Sequence, residues 1–140
     1  MAAGPERSAA SSIAGAGAAY FAVVFLAGFL LGTVRTLWLA PKIGPLMAVA
    51  AELPVMLAIA FMASAPIMRR FGVKVRSDRL ATGLVAFLLL MMAEFLLAAA
   101  FGVEPATYAA SWLTAPGALG LAGQVLFALI PVLRNSRPAQ

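Results

Sequence analysis

The chain has 140 residues, of which 64% are hydrophobic and 11% charged, with a formal net charge of +5 at neutral pH. An ordinary soluble domain is about 45–50% apolar and about 25% charged, so a water-soluble globular fold is excluded. The chain has no Cys and no His, which removes structural zinc, thiolate catalysis, disulfides, His-ligated haem and Ser-His-Asp triads together.

No cofactor is expected. Met47, Met56, Met62, Met68, Met91 and Met92 lie in or at the ends of apolar runs, where packing rather than metal ligation is the expected role. No nucleic-acid partner is expected either, because no basic patch with interleaved aromatics lies outside those runs. The charges are bunched: residues 8–34 and 105–133 contain none, and 43–68 contains only Glu52. Runs of this length match bilayer spans of about 20 residues. The expected fold is therefore an all-α integral membrane protein, an antiparallel four-helix bundle occupying residues 16–133 with spans at about 16–39, 44–68, 80–101 and 113–133. Such a bundle leaves no room for a second domain.

Residues 1–15, small and polar with Glu6 and Arg7, are expected to form a flexible cytoplasmic tail. The apolar run at 16–39 is too long for the h-region of a secretory signal, and Trp38-Leu39-Ala40-Pro41 is no cleavage site. Pro41, Gly44 and Pro45 predict a tight turn that sends the second span back alongside the first. Within that span Pro54, two residues after Glu52, is expected to bend the helix and free the carbonyl of Ala50.

Between the second and third spans, Arg69, Arg70, Lys74, Arg76 and Arg79 outnumber Asp78, and a Lys/Arg excess marks a cytoplasmic loop. An even number of spans puts both termini on that side, in agreement with Arg7, Arg134 and Arg137; the opposite side carries Lys42 and Glu104. A multi-pass protein of a bacterial inner membrane is expected, with the lipid bilayer as its first partner. Tyr20 falls near the cytoplasmic interface, and Trp38, Tyr108 and Trp112 near the other. Gly102–Pro116 reads as an outer loop or short interfacial helix, and residues 134–140 as a second cytoplasmic tail.

Arg35, Glu52 and Glu94 are the charges inside the spans. A charge at mid-helix costs roughly 2.5–3.5 kcal/mol on the lenient insertion scale, so each is expected to face the bundle interior. At about 1.5 Å per residue they lie roughly 6, 12 and 10 Å from the outer ends of their helices. Gln124 in the fourth span lies deeper, at roughly 16 Å. These four residues form the expected substrate- or proton-binding site. One cation against two carboxylates leaves a negative charge unmatched, so either one Glu holds a proton or a cation completes the site. Gly28 and Gly32 on the first span, and Gly117, Gly120 and Gly123 on the fourth, are expected to mark closely packed faces.

No family motif is present; small multidrug exporters share the four-span format but place an essential Glu in their first helix, where this chain has Arg35. The expected function is solute, ion or proton handling. The alternative is a non-catalytic accessory or assembly subunit, in a homo-oligomer or a larger membrane complex. An enzyme is not expected, because Ser64 and Ser111 have no base. A polar cluster lining an interior cavity favours the first reading; an outward-facing one favours the second.

Overall fold

The computed structural model describes residues 5–134, and every regular element among them is helical. The first helix, α1 (Pro5–Val34), continues through a π-helical stretch, Arg35–Leu39, into one last turn, α2 (Ala40–Ile43). It reaches back into the segment expected to be a tail. Alanine is the strongest helix former, and Ala16 is buried against Met68 and Val73, which anchors this early part of the helix. Residues 1–4 and 135–140, including Arg137, lie outside the described residues.

Gly44, at a φ of 89° that favours glycine, turns the chain into α3 (Pro45–Arg70), which runs on through Pro54 and Pro66. At the end of α3, Gly72 adopts a φ of 68° and the Val73 N–H donates to the Met68 carbonyl at 2.9 Å. The end of α4 (Arg76–Ala100) repeats this closure, with Gly102 at 82° and Val103 donating to Ala98 at 2.9 Å. Both are glycine-terminated Schellman caps, which satisfy carbonyls the helix would leave open. A short helix, α5 (Pro105–Ala110), and a 3-10 turn, Ser111–Leu113, lead to α6 (Ala115–Leu133), where the Thr114 hydroxyl accepts from the Gly117 N–H at 3.2 Å.

Four helical stretches among the described residues, Ala9–Ile43, Pro45–Arg70, Arg76–Ala100 and Ala115–Leu133, are long and apolar enough to cross a bilayer. Leu26, Leu30, Met62, Met92 and Leu96 are each more than half exposed. Water would penalise so much bare apolar surface, whereas acyl chains cover it at no cost. The buried hydroxyls of Ser64 and Thr82 donate within their own helices, to Phe61 at 2.9 Å and Asp78 at 2.8 Å, and so need no water.

α1 packs on α3 and α4, and α6 packs on the same two helices. The core lies toward the basic end, where Tyr20, Val24, Ala60, Ala86, Leu90, Phe127 and Ile130 meet. Small residues let the backbones close there. Gly17 sits against Val85, and a side-chain carbon at Gly83 would collide with the Ala128 carbonyl. At the same end the Arg79 guanidinium donates to the Pro131 carbonyl at 3.2 Å, and that of Arg134 donates to the Phe61 carbonyl while lying over the Phe61 ring. The other end of the bundle is hollow.

Candidate functional site

The hollow end begins with the backbone. The Ala40 N–H donates to the Arg35 carbonyl, five residues back, as in a π turn. Its cause is one residue further on. Pro41 has no N–H and its ring would press on the carbonyl of Leu37 in a regular α-helix, so a wider turn relieves the clash. Arg35 is the first residue of that wide turn.

The Arg35 Nη1 lies 3.1 Å from Glu52 Oε2, with the two side chains 34% and 13% exposed. The pair joins α1 to α3 at similar height, since Arg35 is nine residues before Gly44 and Glu52 eight after it. Glu52 Oε2 is otherwise buried without a hydrogen-bond partner, so the contact is one of charge more than of aligned donors.

Glu94 goes elsewhere. Its carboxylate accepts the Tyr108 hydroxyl at 2.5 Å and the Gln124 Nε2 at 2.7 Å from each oxygen. The Tyr108 ring is held edge-on to Phe95 and Trp112, with centroids 4.8 and 5.7 Å away. Burial first, and then the hydrogen bond to and charge of Glu94, push the Tyr108 phenol well above its ordinary range, so it remains a donor at neutral pH. Gln124 Oε1 is buried with no partner.

The four polar residues expected at the site therefore do not form one Arg/Glu/Glu cluster. They divide into an ion pair, Arg35 with Glu52, and a neutral-donor cradle, Gln124 and Tyr108 around Glu94. Tyr108, expected only to fall near the outer interface, is the member of the cradle that its position in the sequence does not reveal. The signal for it was chemical rather than positional: an intramembrane carboxylate needs donors, and a tyrosine offers one beside an apolar ring.

Both groups face a common chamber of about 770 Å³. It is lined from α1 by Phe25, Gly28, Phe29 and Gly32, from α3 by Glu52 and Met56, from α4 by Leu90 and Glu94, and from α6 by Gly120, Gln124 and Phe127, with Arg35 at the wide turn. A second space of about 460 Å³ adjoins it, bounded by Pro45, Trp112 and Pro116; the two share Arg35, Thr36, Glu94, Gly120 and Gln124. Gly28 and Gly32 both line the chamber; an added Cβ at Gly28 would meet the end of the Met56 side chain at 3.3 Å, and one at Gly32 the Arg35 guanidinium at 3.5 Å. Gly120 meets nothing within 4 Å at the position of an added Cβ, whereas Gly123 is pressed against Leu53.

Compared with protein-family models, curated proteins and solved structures, the chain matches none.

Proposed function

We propose that this chain is a small multi-pass membrane protein that binds and handles a small solute, ion or proton in the chamber bordered by Arg35, Glu52, Glu94 and Gln124. The observation that carries this reading is that all four long helices line one chamber, and that the polar residues border it. A charge facing acyl chains is expensive, and one facing a polar interior is not. A chamber between helices is also where membrane bundles place solute and ion sites.

The framework of the proposal is an antiparallel four-helix bundle. It rests on Arg134, just beyond α6, reaching Phe61 in the later part of α3, and on Arg79, in the first turn of α4, reaching Pro131. Arg69, Arg70, Lys74, Arg76, Arg79 and Arg134 gather at that end, against Lys42 at the other. By the positive-inside rule this end is cytoplasmic.

The test is flux. Liposomes containing the purified protein and a trapped pH dye are given a potassium diffusion potential, and proton entry is followed with and without Glu94→Gln. The expected result is entry faster than in protein-free liposomes, lost in the variant. Entry equal to that of empty liposomes, together with co-purification of a larger complex, would leave the accessory-subunit reading instead.

A further inference from the structure

The chamber's charges do not balance. Arg35 is engaged by Glu52, while Glu94 is held by two neutral donors, and no cation lies within ion-pair distance of Glu94 among the described residues. With both carboxylates ionised the region carries one excess negative charge, in surroundings where an uncompensated charge is costly. Beside Glu94, the Gln124 Oε1 is a buried acceptor with nothing to accept. An occupant that brings both a positive charge and N–H donors would answer both needs at once.

Apart from Thr33 and Thr36 the rest of the chamber is apolar, with phenylalanines among its walls, and at about 770 Å³ it falls within the range of roughly 300–1,000 Å³ typical of small-molecule sites. A hydrated metal ion would leave those walls unmatched. Leu37 of the wide turn and Phe101 just beyond α4 both line the chamber and yet are each 75% exposed. The chamber therefore reaches the surface at these two residues, which give it an apolar rim toward the outer end of the bundle.

Resting on the solute-binding reading above, we infer that the occupant is an amphipathic amine: its ammonium group donates to Glu94 and Gln124 Oε1, its apolar body lies along the phenylalanine-lined wall, and it enters past the apolar rim at Leu37 and Phe101.

Three probes with one naphthyl body separate charge from shape: naphthylethylamine, naphthylethanol and naphthylacetate. Saturable binding to the full chain in nanodiscs of zwitterionic lipid is measured by equilibrium dialysis at pH 7, with empty nanodiscs subtracted. The amine is expected to bind about tenfold or more tighter than the alcohol and the carboxylate. Glu94→Gln should reduce the amine to the level of the alcohol while leaving the alcohol unchanged. Because an added Cβ at Gly120 meets open space, Gly120→Leu should fold as the wild type does while excluding all three probes. Equal binding of amine and alcohol, tighter binding of the carboxylate, or amine binding indifferent to Glu94→Gln in a folded variant would overturn the inference. If no probe binds but the Glu94-dependent proton flux persists, the inference fails and the proposed function stands; if the flux is absent too, both fail.

Discussion

The Tyr20 hydroxyl donates to the Phe127 carbonyl at 2.7 Å, with the two rings stacked at 4.5 Å between centroids. Phe127 lies four residues before Pro131, whose missing N–H would otherwise have bonded that carbonyl. The tyrosine thus replaces a helical hydrogen bond across the bundle, and it does so at the floor of the chamber, which Phe127 lines. Tyr20→Phe is expected to cost about 1–2 kcal/mol, because it orphans a carbonyl in the apolar interior. In a Pro131→Ala background the restored N–H takes over, so the same substitution should cost less. Unfolding in mixed micelles measures both; equal costs in the two backgrounds would disprove the link.

Arg35 and Glu52 should be energetically coupled, and Arg35 and Glu94 should not. Arg35→Met leaves the Glu52 carboxylate buried without a counter-charge, an effect moderated because Arg35 is one-third exposed. A double-mutant cycle with Glu52→Gln is expected to show a coupling of about 0.5–2 kcal/mol, and the cycle with Glu94→Gln to be additive within about 0.5 kcal/mol. The reverse pattern would mean that the guanidinium pairs with the wrong helix in this account.

Tyr108 gives a pH signature. Its phenol is raised, chiefly by burial and then by Glu94, so in the folded protein it keeps its proton where an unfolded tyrosine would ionise, near pH 10. The stability this difference confers is complete below about pH 10 and declines as pH rises above it. Tyr108→Phe should remove that part of the alkaline loss. The chain has two tyrosines, so in Tyr20→Phe the phenolate absorbance reports Tyr108 alone. It should emerge well above pH 10 in the folded protein, and near pH 10 after unfolding.

The four long apolar helices were legible because uninterrupted apolar runs leave few alternatives. The Arg35–Glu52 contact was legible in part: the tight turn at Gly44 makes α1 and α3 neighbours, but charge alone left Glu52 and Glu94 equally open as the partner of Arg35. Beyond that, local pattern ran out. The partners of Glu94 come from α5 and α6, and the depth of Tyr108 depends on how the segment after α4 folds back. Small-residue spacing was ambiguous for a physical reason. A missing side chain either lets a backbone approach, as at Gly83, or leaves a space, as at Gly120, and only the neighbour decides which.

Membrane orientation can be read directly, since the chain contains no cysteine to interfere with labelling. Val75 and Val103 are exposed residues in the connections at opposite ends of α4. If the basic end is cytoplasmic, Val103→Cys in intact cells should react with a membrane-impermeant maleimide, and Val75→Cys should react only after permeabilisation. The opposite result would invert the topology and place the chamber on the cytoplasmic side.

The last prediction sets two glycines against each other under the same substitution. Alanine is the better helix former by about 0.5–1 kcal/mol, which alone would make either exchange favourable. At Gly120 nothing lies within 4 Å of the added carbon, so Gly120→Ala should leave the protein as stable as before or slightly more so. At Gly83 the carbon meets the backbone carbonyl of Ala128. Backbone cannot swing aside as a flexible side chain can, so α4 and α6 would have to separate, at a cost of about 1–3 kcal/mol or more from overpacking. Gly83→Ala should therefore lower the unfolding midpoint while Gly120→Ala does not. The outcome also bears on the chamber, because Gly83 fixes the packed half of the bundle from which the hollow half is held open. If Gly83→Ala were harmless, the close α4–α6 approach would be wrong and the chamber's walls would lose their anchor.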